Sequence, residues 1–236
     1  MVNMDAPLTF PAAVGLARQL RRDLFFTDVP QALQYESSYR FDASGMLVPG
    51  KTEKLDCSYV APVSILANAI MQKNGVTINF FKSSVAQNTA GMSVRKGANS
   101  VDILTPAGAS FCATRFAQLK ELIHQWDVRY LSTDTSAKSL MQTIDAALKS
   151  LDPDIIDFPS PLHIENFCFF CAMEILLPWG NAGDRRNVLL DYRAKNLQDL
   201  VIARAFRVPL VVIQFISQSN YLKVSSTMNN WYDERE

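Results

Sequence analysis

The residues best suited to chemistry in this chain are its two histidines and the glutamates near them. Glu121 and His124 are three residues apart in a stretch with helical spacing, so we expect them to share one face of a helix. A glutamate and a histidine so placed form the second half of a zinc-peptidase helix, in which two histidines hold the metal and the glutamate is the base. Lys120 occupies the position of the first histidine. Taken alone, the pair is better explained as a polar pair on a helix surface.

The other histidine, His163, precedes an apolar stretch that contains Glu165, Cys168 and Cys171. Residues two apart on a helix point about 200° away from each other, so His163 and Glu165 would meet at one metal only if His163 precedes the helix. A Cys-x-x-Cys pair inside one regular helix is a poor zinc clamp, and buried packing of both thiols is favoured. Taken alone, Glu165 is better explained as a first-turn acid that complements the helix dipole.

The apolar spacing predicts the elements that must position these residues. Helices are predicted over residues 12–25, 58–73, 113–131, 136–151, 164–177 and 185–206. Strands are predicted over residues 76–81, 92–95 and 100–104, with a further candidate within 35–41. Loops are predicted over residues 45–53 and 152–162, a frayed tail over 228–236, and the state of 208–216 is left open.

Composition limits the classes of protein to consider. The 236 residues contain 23 Lys and Arg against 23 Asp and Glu, and 48% are hydrophobic, which excludes extended disorder and argues against a general polyanion binder. No apolar run reaches the roughly 18–20 residues of a membrane span, and the first residues do not resemble a signal peptide. We therefore expect a cytoplasmic protein with no membrane partner, in which the four cysteines are reduced thiols.

Two stretches together resemble the ImmA/IrrE family of metallo-endopeptidases. Residues 115–124 read Arg-Phe-Ala-Gln-Leu-Lys-Glu-Leu-Ile-His and are similar to the family's R-F-T-L-A-H-E-L-G-H. Residues 165–178 read Glu-Asn-Phe-Cys-Phe-Phe-Cys-Ala-Met-Glu-Ile-Leu-Leu-Pro and are similar to E-x-x-A-N-x-F-A-A-E-L-L-M-P. Residues 202–209 are similar to the family's I-A-x-x-F-x-V-S element. The resemblance extends from about residue 58 to about residue 215.

This resemblance implies a zincin-type α+β fold, in which a small antiparallel or mixed sheet packs on the active-site helix and a helical C-terminal part follows. Upstream it implies a helix, a β-hairpin and a strand between residues 58 and 104. The implied regions are an N-terminal extension over 1–50, a peptidase domain over 51–217 and a tail over 218–236.

The resemblance also implies roles for individual residues. His124 matches the second zinc-binding histidine, Glu121 matches the catalytic base, and Glu165 matches the third metal ligand. Lys120 stands where the first histidine should be, and a protonated ammonium has no lone pair for a metal. Either Lys120 replaces the metal electrostatically between the two carboxylates, or His163 rescues zinc binding as a substitute ligand.

Two functions follow from this resemblance. The first is a pseudo-peptidase without a metal cofactor that acts by binding a protein partner, such as a transcriptional regulator or a phage, mobile-element or defence component in bacteria. The second is an active, atypical zinc endopeptidase that cleaves a helix-turn-helix repressor. Lys120 favours the first. The balanced charge argues against direct contact with nucleic acid.

Overall fold

Helices and two small sheets make up the part of the chain described by a computed structural model. That part comprises residues 8–25, 39–41, 47–49, 55–86, 89–131, 163–177 and 208–218, with single positions at 142, 144, 199, 200, 203 and 221. The α-helices are α1 (Phe10–Leu20), α2 (Leu55–Asn74), α3 (Phe111–Trp126), α4 (Ile164–Leu176) and α5 (Leu210–Ile216). The strands are β1 (Tyr39–Phe41), β2 (Leu47–Pro49), β3 (Thr77–Ser83), β4 (Met92–Arg95) and β5 (Ser100–Pro106). The class is α+β, as predicted, and no described helix is both long and apolar enough to cross a membrane.

The larger sheet is mixed and has three strands in the order β3-β5-β4. β5 is central, pairs in parallel with β3 and pairs in antiparallel with β4. All three strands were predicted, but the hairpin is formed by the second and third strands rather than by the first two. Gly97 explains this, because its φ of 75° permits the short turn that lets the Lys96 N–H donate to the Ser100 carbonyl oxygen at 2.8 Å.

The smaller sheet pairs β1 with β2 in antiparallel register, with Arg40 opposite Val48. β1 lies within the predicted 35–41 strand, of which residues 35–38 fall outside the described residues. The prediction of a loop over 45–53 is wrong at β2. Cross-strand pairing outweighs the local loop signal of Pro49, which can occupy the end of an edge strand because its missing N–H is not needed there.

The first helix, α1, belongs to the same hydrophobic core as α4. Thr9 caps α1 by accepting a hydrogen bond from the Ala12 N–H, and a π-helical turn over Arg21–Phe25 follows the helix. The predicted helix over 12–25 is therefore confirmed. It begins two residues earlier, at Phe10, and its last turn is π-helical. The ring of Phe10 meets that of Phe170 edge-on with centroids 4.8 Å apart, so α1 packs directly on the helix that carries Glu165.

The predicted apolar helix α4 is confirmed, and it is buried at every position from Asn166 to Leu176. Residues 208–216, whose state the sequence left undecided, are helical from Leu210, immediately after Pro209. The predicted 113–131 helix is too long, because the Asp127 side chain accepts from the Arg129 N–H and starts a separate 3-10 turn. The predictions for 136–151, 152–162, 185–206 and 228–236 fall outside the described residues, except for single helical positions.

Candidate functional site

The candidate site lies on α3, which is held between the larger sheet and α4. Ser110 caps the start of α3 by accepting from the Ala113 N–H. Near its end, the Asn74 side-chain amide donates to the Gln125 carbonyl oxygen at 2.8 Å, and the Gln125 side-chain amide donates to the Ser93 hydroxyl at 3.1 Å. Because both sides of α3 are covered, its polar residues are buried, and the interpretation of Glu121 and His124 as a surface pair is wrong.

Lys120 forms the centre of the site. Its Nζ lies 2.6 Å from Glu121 Oε1 and 2.7 Å from Glu165 Oε2, and its side chain is 3% exposed. Burial disfavours the charged amine, but the Glu121 and Glu165 carboxylates outweigh burial and hold the pKa of Lys120 well above its ordinary value. The ammonium therefore stays protonated and joins α3 to α4.

Glu165 lies in the first turn of α4 and is the most exposed member of the site, at 19% of its side chain. Burial alone would favour the protonated acid. The neighbouring His124 and Lys120 outweigh that effect and hold the pKa of Glu165 well below its usual range. Glu165 is thus an anion at neutral pH, with one carboxylate oxygen towards each of the two cationic side chains.

His124 has its two ring nitrogens in different surroundings. Nδ1 lies 2.5 Å from the Tyr130 carbonyl oxygen, which can only accept, so Nδ1 carries a proton. Nε2 is buried and lies 3.2 Å from Glu165 Oε1, so it faces the carboxylate of α4. Burial disfavours the charged ring, yet Cys168, with Sγ 3.5 Å from Nδ1, and Glu165 raise the pKa of His124 well above its ordinary range.

Gly91 brings the backbone that precedes β4 against Glu121. Its φ is 109°, and a Cβ at this position would lie 3.1 Å from Ala117 Cβ and 3.3 Å from Glu121 Cγ. Thr89 fixes the turn by accepting from the Gly91 N–H at 3.2 Å. Only glycine fits this approach, so the backbone before β4 covers the carboxylate that the resemblance implies as the base.

The structure places His163 at the start of α4 as its N-cap. The Nδ1 atom of His163 accepts a hydrogen bond from the Glu165 N–H at 3.2 Å, and the residue is exposed. His163 therefore precedes the helix, as a shared metal site would require. Its ring, however, bonds to the backbone of Glu165 and not to the side chains around Lys120.

The two cysteines of α4 are free thiols buried in the core, as predicted. Burial raises the pKa of Cys171 well above its ordinary value. Contact between Cys168 and His124 could not be foreseen, because their 44-residue separation gives no local signal.

The residues as arranged do not fit a zinc ion. A zinc site needs at least three ligands with lone pairs, and the position between Glu121 and Glu165 is taken by an ammonium with none. Among the described residues, no three His, Cys, Asp or Glu side chains are grouped so as to hold a metal.

No protein-family model, curated protein or solved structure matches the chain. The likeness to ImmA/IrrE metallo-endopeptidases therefore stays a prediction based on the motifs quoted above.

Proposed function

We propose that this chain is a degenerate ImmA/IrrE-like metallopeptidase domain of zincin type that works by binding a protein partner. The observation that carries this proposal is the ammonium of Lys120 between the Glu121 and Glu165 carboxylates. In the family pattern these two carboxylates serve as base and metal ligand. Here both are paired with the Lys120 ammonium, which repels a divalent ion.

The balance of charge within the site supports the proposal. Two buried carboxylates require nearby positive charge, which a zinc ion supplies in an active peptidase. Lys120 supplies one positive charge, and a protonated His124 facing Glu165 supplies the second. The four side chains are then neutral together without an ion.

The poor access of solvent to Glu121 also supports the proposal. The Glu121 side chain is 5% exposed, and the backbone at Gly91 lies against its Cγ. A general base must reach a water molecule next to the substrate. A covered Glu121 is better suited to holding the Lys120 ammonium in place than to activating water, and Lys120 in turn joins α3 to α4. This leaves binding as the function. The partner that we propose is a transcriptional regulator or a phage, mobile-element or defence component in the bacterial cytoplasm.

Metal content tests the first half of the proposal. Elemental mass spectrometry of untagged native protein should find no stoichiometric zinc, and a Lys120→His variant should gain it. Histidine at 120 would stand one turn before His124 and opposite Glu165, completing three ligands. A Lys96→His variant is the control, because Lys96 contacts Asp102 on the sheet. Stoichiometric zinc in the native protein contradicts the proposal.

The second half of the proposal, that the chain binds a partner rather than cleaving it, is tested with Glu121→Gln. A carboxamide oxygen still accepts a hydrogen bond from Lys120, so the fold and any partner surface should survive. If binding is the function, the same protein should be captured from bacterial cells by the native chain and by this variant. If hydrolysis is the function, the variant should lose cleavage of that protein while still capturing it.

The alternative function, an active atypical zinc endopeptidase that cleaves a helix-turn-helix repressor, has one observation in its favour. His124 donates from Nδ1 to the Tyr130 carbonyl oxygen, and this leaves Nε2 directed at the site, as in zinc-binding histidines. That function requires zinc in the native protein and loss of activity in Glu121→Gln.

A further inference from the structure

The side chains around Lys120 place an amine, two carboxylates and an imidazole in contact inside the fold. Lys120 Nζ lies 2.7 Å from Glu165 Oε2 and 2.6 Å from Glu121 Oε1. At the other oxygen of the Glu165 carboxylate, His124 Nε2 lies 3.2 Å from Oε1. An acyl transfer requires a nucleophile, a base in contact with it, an acyl carbon and a group that faces the acyl oxygen. Each of the four side chains stands in one of these positions.

We propose that Lys120 and Glu165 react to form an intramolecular isopeptide bond, which joins α3 and α4 covalently. A bond forms between Lys120 Nζ and Glu165 Cδ, the bond between Glu165 Cδ and Oε2 breaks, and one molecule of water leaves. The step changes no oxidation state and needs no second substrate. It concerns the site of the proposed function but not the partner, so the two can be tested separately.

Glu121 is the residue that moves the protons. An ammonium has no lone pair, so Lys120 must first pass one proton to Glu121 Oε1, which is in contact with it. The freed amine attacks the acyl carbon of Glu165, and Glu121 delivers that proton to Oε2. A second proton follows the same path from nitrogen to Oε2. The leaving oxygen therefore departs as water, and Glu121 is again a carboxylate.

His124 stabilises the oxygen that stays. When the amine adds, negative charge develops on Glu165 Oε1, which becomes the carbonyl oxygen of the new amide. His124 Nε2 faces this atom, is buried, and has no hydrogen-bond partner among the described residues. The Tyr130 carbonyl oxygen holds the other ring nitrogen, so the ring is fixed in this direction.

Confinement favours the amide over the ion pair. In water, an ammonium and a carboxylate are separately hydrated, but the side chains of Lys120 and Glu121 are only 3% and 5% exposed. A neutral amide removes two charges from surroundings in which charge is costly. Reactive groups held in contact can reach effective concentrations on the order of 10⁵–10⁸ M. Glu165 is 19% exposed, which gives the released water a way out.

The balance of charge in the site is the same before and after the reaction. Before it, Lys120 and His124 offset Glu121 and Glu165. After it, one positive charge on His124 and one negative charge on Glu121 remain. Neither an amide nitrogen nor an amide-bound Glu165 is a ligand that zinc prefers, so the joined side chains exclude the metal as the ion pair does.

The contact between Lys96 and Asp102 lacks two of these features. The Lys96 side chain is 67% exposed, so water competes for its ammonium. Its one ion pair within the described ranges is with Asp102, so no second carboxylate is in place to act as the base. We expect no isopeptide bond at this contact, which makes Lys96 a matched control.

The intact mass of the full chain tests the proposal. Mass spectrometry of the denatured native chain should give a mass that is one water molecule lower than its sequence requires. Lys120→Arg keeps the positive charge but removes the amine nucleophile, and it should have the full mass. Glu121→Gln keeps both reacting side chains but removes the base, and it should also have the full mass. Lys96→Arg should lose the water as the native chain does.

Peptide mapping locates the bond. Trypsin does not cut after an acylated lysine, so residues 116–129 should remain one peptide and should be joined to the peptide of residues 150–185. A native chain of full mass overturns the proposal, and if that chain also lacks zinc, the proposed binding function stands without it. A loss of water that persists in Lys120→Arg, or that maps to other peptides, overturns it too.

Discussion

Two lysine–carboxylate contacts in this chain have the same chemistry in opposite surroundings. Lys120 meets Glu121 and Glu165 with side-chain exposures of 3%, 5% and 19%. Lys96 meets Asp102 on the larger sheet, where the lysine side chain is 67% exposed and the aspartate side chain is 6% exposed, so the contrast lies in the lysine. If Lys96 is removed, water can replace it. If Lys120 is removed, nothing in its buried surroundings compensates the carboxylates.

The difference concerns more than stability. Lys96 follows the four-residue strand β4 directly and contacts one carboxylate within the same hairpin. Lys120 joins two helices whose carboxylates are 44 residues apart along the chain, so its contact defines how α3 and α4 meet. The buried contact therefore determines both the geometry of the site and whether a metal can enter it.

The largest effect is expected from Lys120→Met. The substitution leaves Glu121 and Glu165 buried near each other without a cation, and the free energy of unfolding should fall by about 3–5 kcal/mol. Urea unfolding followed by circular dichroism measures it. Lys96→Met is the matched control and should change stability far less. Equal losses in the two variants would remove the distinction between the two contacts.

A second comparison uses one glycine beside each contact. Gly91→Ala should lower the free energy of unfolding by about 2–4 kcal/mol, since it combines an unfavourable φ with a Cβ pressed on Ala117. Gly97→Ala shares the positive φ but has open space around its Cβ, and should lose about 1–2 kcal/mol. Thermal unfolding of both variants measures the two losses. A larger loss of stability for Gly97→Ala than for Gly91→Ala would mean that the turn at Gly91 does not cover Glu121.

A smaller effect is expected at His163. His163→Ala removes the N-cap of α4 and should lower the free energy of unfolding by about 1 kcal/mol. His163→Ser supplies another capping oxygen and should restore most of that loss. Zinc content should be unaffected in both variants. Loss of bound zinc on substituting His163 would instead identify it as a metal ligand.

The smallest effect is expected from the contact between Lys96 and Asp102, and it should appear as a dependence of stability on pH. Hydrogen bonds from Lys96 and Asn79 hold the pKa of Asp102 below its ordinary value. The stabilisation is complete above the pKa of an unfolded aspartate and is lost as the pH falls through the lower folded value. The stability difference between the native chain and Asp102→Asn should therefore stay constant from about pH 7 to about pH 5 and shrink in stronger acid. A stability difference that grows on acidification would show that folding raises the pKa of Asp102 instead of lowering it.

The helices that carry the site could be predicted, because their signals are local. The apolar run of α4 and the spacing around His124 define helices without knowledge of the rest of the chain. One of the two alternatives implied by the resemblance places Lys120 between Glu121 and Glu165, and that contact is present.

Pairing between distant segments could not be predicted in the same way. Nothing local to β3 specifies that it pairs with β5 rather than β4, since that depends on the short turn at Gly97. The cover over Glu121 from Gly91 and the capping by His163 also depend on three-dimensional neighbours. Local sequence thus predicts which elements carry the site, but not what surrounds it.

The packing of α1 on α4 has a consequence for how the chain is made. Phe10 and Phe170 touch in the folded protein but lie 160 residues apart in the sequence. At about 5–20 residues per second, a ribosome needs on the order of 10–30 s to add that stretch. Throughout that interval the apolar side of the first helix lacks its main partner. We therefore expect the apolar face of α1 to be covered by transient contacts, with a chaperone or with other segments of the chain, until α4 has been made.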